Sequence, residues 1–146
     1  MINKKIINAT PTEYDGKKFR SMLEMRVYKK LQELGIEPDY EPQKIILWER
    51  SKQQLTVPYY DRVGKIFKQV TSKPLSITYT PDFIFDFKGW HIYLEVKGYK
   101  NDVTNYKIRL FRDWLETQNN PRQCYAVVHR IKDVEFLLKN LNEETI

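Results

Sequence analysis

The sequence predicts an α/β fold in which helices flank a central mixed β-sheet, with the elements in the order α-β-β-β-α-β-α. Residues 21–34 and 102–117 carry apolar side chains three and four positions apart, as on the buried face of a helix. Between these segments, short runs rich in β-branched and aromatic residues alternate with turn residues, which is typical of strands. No segment repeats and no linker is evident, so we expect one domain in this chain of 146 residues.

The first helix is predicted over residues 21–34. Its apolar stripe is spaced by four, four and three residues and comprises Leu23, Val27, Leu31 and Leu34. Gly35 is typical of the position that follows a helix, because glycine adopts the left-handed conformation needed there. Pro38 then prevents the helix from resuming.

The middle of the chain is predicted to be β-structure. Its strand-like runs are residues 44–48, 65–70, 77–79, 82–87 and 91–96. The polar segment 49–64, which contains Pro58 and Gly64, is predicted to be a loop or an irregular hairpin. The last three runs are predicted to form a compact antiparallel meander with a tight turn at Lys88-Gly89.

The final third of the chain returns to helical patterning. The helix over residues 102–117 begins at a cap supplied by Asp102 or Thr104. A buried-type strand follows over residues 123–129, and Asp133 is predicted to begin the last helix.

The polar N-terminal segment, residues 1–18, is predicted to be a flexible arm with a turn at Asp15-Gly16. This prediction leaves residues 19–146 as the single folded domain.

Composition limits the function classes. The chain has 25 Lys and Arg against 19 Asp and Glu, a net charge of +6, which favours a polyanionic partner such as DNA. Many small proteins carry such a charge for solubility alone, so charge by itself does not decide the partner. Cys124 is the only cysteine, and with two histidines it cannot complete a Cys/His zinc finger or an iron–sulfur site.

Membrane attachment is not expected. The longest apolar runs have four or five residues, too few to cross a bilayer, and the first residues lack the apolar stretch of a secretory signal. We therefore expect a soluble protein of the reducing cytoplasm with no membrane partner and no small-molecule cofactor.

Two short motifs carry the candidate chemistry, Thr80-Pro81-Asp82-Phe83 and Leu94-Glu95-Val96-Lys97-Gly98. Twelve residues separate Asp82 from Glu95, enough for two adjacent strands and their turn. Alternate side chains of a strand share a face, so Glu95 and Lys97 are expected to project together, with Asp82 beside them at one end of the sheet.

Such a cluster is chemically informative. Two neighbouring carboxylates repel one another unless a cation lies between them. Oxygen ligands select Mg²⁺ or Mn²⁺, and such an ion stabilises charge on a scissile phosphate and lowers the pKa of bound water. A lysine on the same face can orient the nucleophile or stabilise the charge of the transition state.

Each of these residues also has an ordinary structural explanation. Aspartate after proline is common in turns, and Glu95 and Lys97 are residue types that usually lie on a solvated strand face. The run Ser21-Met22-Leu23-Glu24 fits the capping box, in which the glutamate closes the N-terminus of a helix. The functional prediction therefore depends on the joint pattern.

The joint pattern resembles a known family. Pro81-Asp82 followed by Glu95-Val96-Lys97 resembles the signature of the PD-(D/E)xK nuclease superfamily. The likeness to the phage endonuclease I family of Holliday-junction resolvases covers residues 19–99. The upstream segments that carry this likeness are Phe19-Arg20-Ser21-Met22-Leu23-Glu24, Gly35-Ile36 and Tyr40-Glu41.

The resemblance implies a restriction-endonuclease-like core and a metal-dependent endodeoxyribonuclease, acting on branched DNA such as Holliday junctions. The catalytic residues that it implies are Glu24, Asp82, Glu95 and Lys97. The ligands that it implies for one or two Mg²⁺ or Mn²⁺ ions are Asp82, Glu95, Glu24 and the backbone carbonyl of Val96. Symmetric cutting of a junction needs two active sites, so a resolvase is expected to be a homodimer.

The chain also departs from that family. Residues 49–75 form an insertion, which can be a dimer contact, a substrate loop or decoration, and the chain lacks a strongly basic C-terminal tail. The alternatives are a nicking or end-cleaving nuclease of a phage or mobile element, and a non-catalytic DNA-binding domain with the same fold. For a phage-encoded protein, the expected location is the cytoplasm of the host cell.

Candidate DNA contacts are the basic residues near the motifs. They are Lys17, Lys18, Arg20, Lys100, Lys107 and Arg109. A solvated helix face explains the last two equally well. The aromatic pair Tyr59-Tyr60 is able to stack on unpaired bases, although loop tyrosines more often pack against their own protein.

Overall fold

The computed structural model describes residues 10–50, 54–98 and 102–141, with side chains from residue 105 onward in the last range. The helices are α1 Met22–Glu33, α2 Asp102–Thr117 and α3 Ile131–Asn140. The strands are β1 Thr12–Tyr14, β2 Lys17–Phe19, β3 Asp39–Tyr40, β4 Ile45–Trp48, β5 Tyr60–Val63, β6 Ile66–Gln69, β7 Ile77–Tyr79, β8 Phe83–Phe87, β9 Trp90–Val96 and β10 Gln123–Val128. Within these ranges, no helix combines the length and the apolar character that crossing a lipid bilayer requires.

A mixed four-stranded sheet in the order β10-β9-β8-β3 is the centre of the fold. Strands β8 and β9 form an antiparallel hairpin, and its two-residue turn has φ of 49° at Lys88 and 82° at Gly89. Positive φ at both central residues matches the right-handed twist of the strands, so the predicted turn is confirmed. Strand β10 pairs parallel to β9, and helix α2 makes the crossover between them. The predicted α/β class with mixed pairing is thus confirmed.

Both faces of this sheet are covered. One core contains Leu31 of α1 and Leu138 of α3 with Phe83 and Leu94 of the hairpin, because α1 and α3 each present one apolar stripe. The opposite core has Phe111 of α2 at its centre. The other fully packed members of this second core are Ile45, Tyr79, Ile84 and Tyr93.

Helix α1 agrees with its prediction. Ser21 is the N-cap, with its side chain accepting a hydrogen bond from the backbone N–H of Glu24, and the capping box is complete. After the helix, Gly35 has φ of 80°, the left-handed conformation that the sequence indicated.

The predicted antiparallel meander is wrong in one strand. β7 pairs with β4 in a separate two-stranded sheet, and β3 occupies the edge of β8, with Tyr40 opposite Phe83. The backbone N–H of Glu41 donates to the carbonyl of Asp82 at 2.8 Å, which prolongs that pairing. Pro81, buried and without an N–H, separates β7 from β8, so the chain changes sheets at this point.

The last two elements are confirmed with shifted ends. The strand ends at Val128, and α3 begins at Ile131, before the predicted first residue Asp133. Asp133 accepts hydrogen bonds from the backbone N–H groups of His129 and Arg130 at 2.8 and 3.0 Å. Asp133 therefore lies one turn inside the helix that it caps.

The predicted N-terminal arm needs correction where the structure describes it; residues 1–9 lie outside the described residues. Strands β1 and β2 form an antiparallel hairpin around the Asp15-Gly16 turn. Phe19 is buried against Tyr28 of α1, with ring centroids 5.1 Å apart. Tyr14 of β1 packs on the same ring, at 6.2 Å between centroids, so aromatic contacts with α1 order the described part of the segment predicted as a flexible arm.

The inserted segment contains an exposed hairpin. Strands β5 and β6 pair antiparallel around a turn at Gly64, where φ is 65°, and all eight strand residues are exposed. In the segment 49–64, predicted as a loop or an irregular hairpin, Tyr60–Val63 is strand, and the predicted run 65–70 contains the strand Ile66–Gln69. At the base of the segment, the backbone N–H of Arg50 donates to Oγ of Ser76 at 2.9 Å.

Candidate active site

Asp82 and Glu95 are brought together by the register of the β8–β9 hairpin. Phe83 lies opposite Leu94, so the next pair along the strands is Asp82 and Glu95. Both carboxylates are buried. Oδ2 of Asp82 accepts a 2.7 Å hydrogen bond from the backbone N–H of Val96, which fixes this carboxylate at the end of β9. The neighbouring carboxylates predicted from strand alternation are present.

Lys97 lies on the same side of the hairpin as Glu95. Its Nζ is 3.1 Å from Oε1 of Glu95, and its side chain is only 14% exposed. Oε2 of Glu95 accepts a 2.8 Å hydrogen bond from the hydroxyl of Tyr79, whose oxygen is also 3.0 Å from the hydroxyl oxygen of Tyr125. Glu95 is thus oriented through both of its oxygens.

Glu24 reaches the site from α1 and also caps that helix. Its Oε2 accepts hydrogen bonds from the backbone N–H groups of Arg20 at 2.9 Å and Ser21 at 3.1 Å. The hydroxyl of Tyr40 donates to the same oxygen at 3.1 Å. The capping role that the sequence suggested for Glu24 is therefore present in the structure. The Glu24 side chain is also almost completely buried.

The three carboxylates influence one another electrostatically. Burial raises the pKa of Asp82 well above its ordinary value, and the negative charges of Glu95 and Glu24 raise it further, against the lowering effect of the Val96 N–H. Burial also raises the pKa of Glu24, against the lowering effect of hydrogen bonds from Tyr40 and the Arg20 N–H. Asp82 is therefore close enough to respond to both neighbouring charges.

The tyrosines beside these carboxylates are neutral donors. Burial, followed by the charge of Glu95, raises the pKa of Tyr79 above its ordinary value. Burial and the charge of Glu24 do the same for Tyr40. Each hydroxyl consequently keeps its proton and donates a hydrogen bond to a carboxylate oxygen.

The donor set fits a hard divalent cation. Carboxylate oxygens are the ligands that Mg²⁺ and Mn²⁺ prefer, and a cation relieves the repulsion between Asp82 and Glu95. Across the described ranges, no group of three or more His, Cys, Asp or Glu side chains is arranged to hold a metal ion. Asp82 and Glu95 therefore suit an open metal site, in which two protein carboxylates bind the ion and oxygens of water and phosphate complete its coordination.

Of the predicted DNA contacts, Arg20 adjoins Glu24 through its backbone N–H, and Lys17 and Lys18 line a surface shared with Tyr40. Lys17 and Lys18 line an open depression of about 500 Å³ that also includes Tyr40, the donor to Glu24. Lys17 places its Nζ 5.3 Å from the centre of the Tyr28 ring. Arg20 pairs with Glu41 through a 2.7 Å contact between Nε and Oε1 while its side chain stays largely exposed.

The other predicted DNA contacts follow the Glu95-Val96-Lys97 motif in the sequence. Lys107 is half-buried and Arg109 is exposed on α2, whereas Lys100 lies outside the described residues. Their contribution to binding stays a prediction, as does the role of the Val96 carbonyl.

Sequence reasoning missed the tyrosines that orient the carboxylates. Tyr40 lies within a segment that carries the family resemblance, and Tyr79 immediately precedes the Thr80-Pro81-Asp82-Phe83 motif, but no role was predicted for either. A tyrosine adjacent to an acidic motif in a buried strand is a usable signal, since a buried hydroxyl needs a partner. Tyr125 of β10 offered no such signal, because only the folded sheet brings it to Tyr79.

Comparisons of the chain with models of protein families, with curated proteins and with solved structures find no match. A functional interpretation therefore depends on the residues and contacts described above.

Proposed function

We propose that this protein is a metal-dependent endodeoxyribonuclease that hydrolyses phosphodiester bonds in DNA through a restriction-endonuclease-like core. The observation that carries the proposal is the pairing of two buried carboxylates, Asp82 and Glu95, with the Nζ of Lys97 3.1 Å from Glu95. An ordinary solvated strand face does not explain this arrangement, because all three side chains are largely removed from water.

Charge balance supports a cation at this place. Lys97 supplies one positive charge against the carboxylates of Asp82 and Glu95, with Glu24 close enough to raise the pKa of Asp82. Buried charge without compensation is costly, so a protein that retains such a cluster gains from binding a cation. In this proposal Asp82 and Glu95 hold Mg²⁺ or Mn²⁺ with the Val96 carbonyl. Glu24, the further ligand implied by the resemblance, does not complete a three-carboxylate group among the described residues and would have to move toward the ion to bind it.

The residues of the chain have separate roles in the proposal. When bound, the metal ion supplies Lewis acidity at the scissile phosphate and lowers the pKa of a bound water. Lys97 stabilises the negative charge that develops on the phosphate oxygens during attack. Tyr79 orients Glu95, and Tyr40 orients Glu24, so both tyrosines are positioning residues.

DNA is the proposed substrate because the chain combines this cluster with a net charge of +6. Lys17, Lys18 and Arg20 are proposed to bind backbone phosphates beside Glu24. The preferred form within the family resemblance is branched DNA cut by a homodimer, and a nicking or end-cleaving nuclease is the alternative.

The test is a cleavage assay on labelled linear duplex, nicked duplex, single-stranded and four-way DNA. Each substrate is incubated with Mg²⁺, Mn²⁺, Ca²⁺ or excess chelator. We expect cleavage with Mg²⁺ or Mn²⁺, binding with little turnover in Ca²⁺, and none in chelator. Asp82→Asn is the matched control for a contaminating nuclease, because it removes one ligand charge and keeps the size of the side chain.

The pattern of products separates the alternatives. Symmetric cuts in the four-way substrate support a resolvase, and cuts restricted to nicks or ends support the alternative nucleases. Robust cleavage in chelator would falsify the metal-dependent mechanism. Binding of DNA without cleavage in any metal identifies a non-catalytic DNA-binding domain.

A further inference from the structure

The β5–β6 hairpin exposes a pair of aromatic rings. Tyr60 and Phe67 lie with ring centroids 6.0 Å apart and planes inclined by 26°, so they form a stacked pair. Tyr60 is 54% exposed and Phe67 is 67% exposed. A two-stranded hairpin is only marginally stable by itself, and exposed aromatic rings are unfavourable in water. Such a surface usually marks a binding site.

The register shows which side chains share this surface. Arg62 lies opposite Phe67, and Tyr60 lies opposite Gln69, so these four residues are on one side of the hairpin. We call this side the aromatic face. Val63 and Ile66, the pair next to the turn, belong to the other side. The aromatic face therefore combines two rings, a guanidinium and an amide.

Charge decides between the two simplest occupants. The basic side chains of the hairpin and its turn are Arg62, Lys65 and Lys68, against the single acidic residue Asp61. Asp61 is already engaged, since its Oδ2 accepts from the Tyr59 hydroxyl at 2.9 Å. Two copies of a positively charged hairpin repel one another, whereas a polyanion is attracted. The charge thus favours nucleic acid over a second copy of the chain.

We propose that the aromatic face binds unpaired nucleobases of DNA, by stacking on Tyr60 and Phe67, while Arg62 contacts the adjacent phosphate. This proposal rests on the proposed function for the identity of the nucleic acid as DNA. Every base has a π-face, so stacking on tyrosine and phenylalanine captures unpaired bases without reading sequence. In paired DNA the bases are stacked on one another, so the face selects substrates with a single-stranded portion.

The test measures binding by the full chain in chelator, where no cleavage is expected to complicate the signal. The probe is a labelled oligothymidylate of about 20 nucleotides, longer than a usual single-strand site, with duplex DNA of equal length for comparison. Phe67→Ala removes one ring from the aromatic face. Ile66→Ala is the matched control, because Ile66 is 65% exposed and lies on the opposite side of the same hairpin.

We expect Phe67→Ala and Tyr60→Ala each to weaken oligothymidylate binding about tenfold, since one stacked base is lost with each ring. Ile66→Ala should stay within about twofold of the parent, and duplex affinity should change little in any variant. Phe67→Trp should retain affinity and show quenched indole emission when the oligonucleotide binds. All eight strand positions of the hairpin are exposed, so the melting temperature of these variants should not change.

Two results overturn the proposal. One is a Phe67→Ala variant that binds oligothymidylate as tightly as the parent, or no more weakly than Ile66→Ala does. The other is a change of oligomeric state in Phe67→Ala with unchanged affinity, since the hairpin is then a contact between copies. Failure of the proposed function gives a different result. The nuclease assay is then negative, but Phe67→Ala still binds oligothymidylate more weakly than the parent.

Discussion

The backbone N–H of Val96 donates a 2.7 Å hydrogen bond to Oδ2 of Asp82. This bond joins Val96, the last residue of β9, to the residue immediately before β8. Val96 itself lies between Glu95 and Lys97 in the sequence. A one-residue slip of the hairpin would turn Glu95 to the opposite face of the sheet, so the register itself maintains the cluster. Changes to single side chains at this end of the sheet therefore have specific expected outcomes.

Asp82→Asn should alter how stability depends on pH in metal-free protein. The folded pKa of Asp82 is raised, so its contribution to stability is complete below the unfolded pKa and is lost as pH rises through the folded pKa. The pKa of Glu24 is raised too, which gives the same sign. Thermal melting between about pH 5 and pH 8 should show a decline in the parent that is shallower in Asp82→Asn. Equal slopes would contradict the electrostatic coupling.

Glu24→Gln separates catalysis from helix capping. Glutamine still accepts the capping hydrogen bonds but is a poor ligand for a hard divalent cation. Without metal, we expect melting at or slightly above the parent temperature, because repulsion with Asp82 is relieved. We also expect loss of most of the metal-induced stabilisation and very poor cleavage, measured by thermal melting with and without Mg²⁺ and by the nuclease assay.

Ser21→Ala is the control for this experiment. It removes the other half of the capping box, the acceptor for the Glu24 N–H, and leaves the carboxylate in place. We expect a loss of roughly 0.5–2 kcal/mol in the free energy of unfolding, with cleavage retained. Full activity in Glu24→Gln would return Glu24 to a purely structural role.

Lys97→Met should slow cleavage while metal binding persists. The methionine keeps the apolar stem but removes the ammonium, and loss of one well-placed electrostatic stabiliser costs on the order of 10²–10³ in rate. Glu95 then lacks its ion-pair partner at 3.1 Å, so Mg²⁺ should stabilise the variant at least as much as the parent. Lys132→Met, an exposed position on α3, is the control for lost charge. Cleavage within a few-fold of the parent would exclude Lys97 from the mechanism.

Tyr79→Phe tests the orientation of Glu95. The ring still packs on Phe111, at 4.8 Å between centroids, but the 2.8 Å hydrogen bond to Oε2 is lost. Hydrogen bonds to charged groups contribute about 1.5–3 kcal/mol, so the Mg²⁺ concentration for half-maximal cleavage should rise about tenfold. Tyr93→Phe is the control, because Tyr93 also packs on Phe111 while its hydroxyl contacts only Gln123 among the described hydrogen bonds. Similar Mg²⁺ dependence in the two variants would show that Tyr79 only packs.

The parts of the structure that were predictable are those governed by local sequence. The capping box and the glycine at position 35 specify both ends of α1. The short turn at Lys88-Gly89 fixes the register of β8 and β9, and strand alternation then places Asp82 beside Glu95. Each of these inferences needs information from only a few neighbouring residues.

The errors lie where distant segments decide the structure. Strand β3 has two residues, too few for any periodic pattern, and it forms because the edge of β8 offers unpaired backbone groups. Strand β7 pairs with β4 in a separate sheet. Tyr79 lies in β7 and Glu95 in β9, which belong to different sheets, so only the folded structure connects these two side chains through a hydrogen bond.

The 2.9 Å hydrogen bond between the Arg50 N–H and Ser76 Oγ closes the base of the inserted segment. When the two ends of an insertion meet, the segment between them can be lengthened, shortened or exchanged with little effect on the rest of the fold. The carboxylates of Asp82 and Glu95 belong to a hairpin outside this loop. Under the proposed function, the surface that binds DNA would therefore change independently of the residues that cleave it, and a protein engineer would be able to graft a different loop between residues 50 and 76.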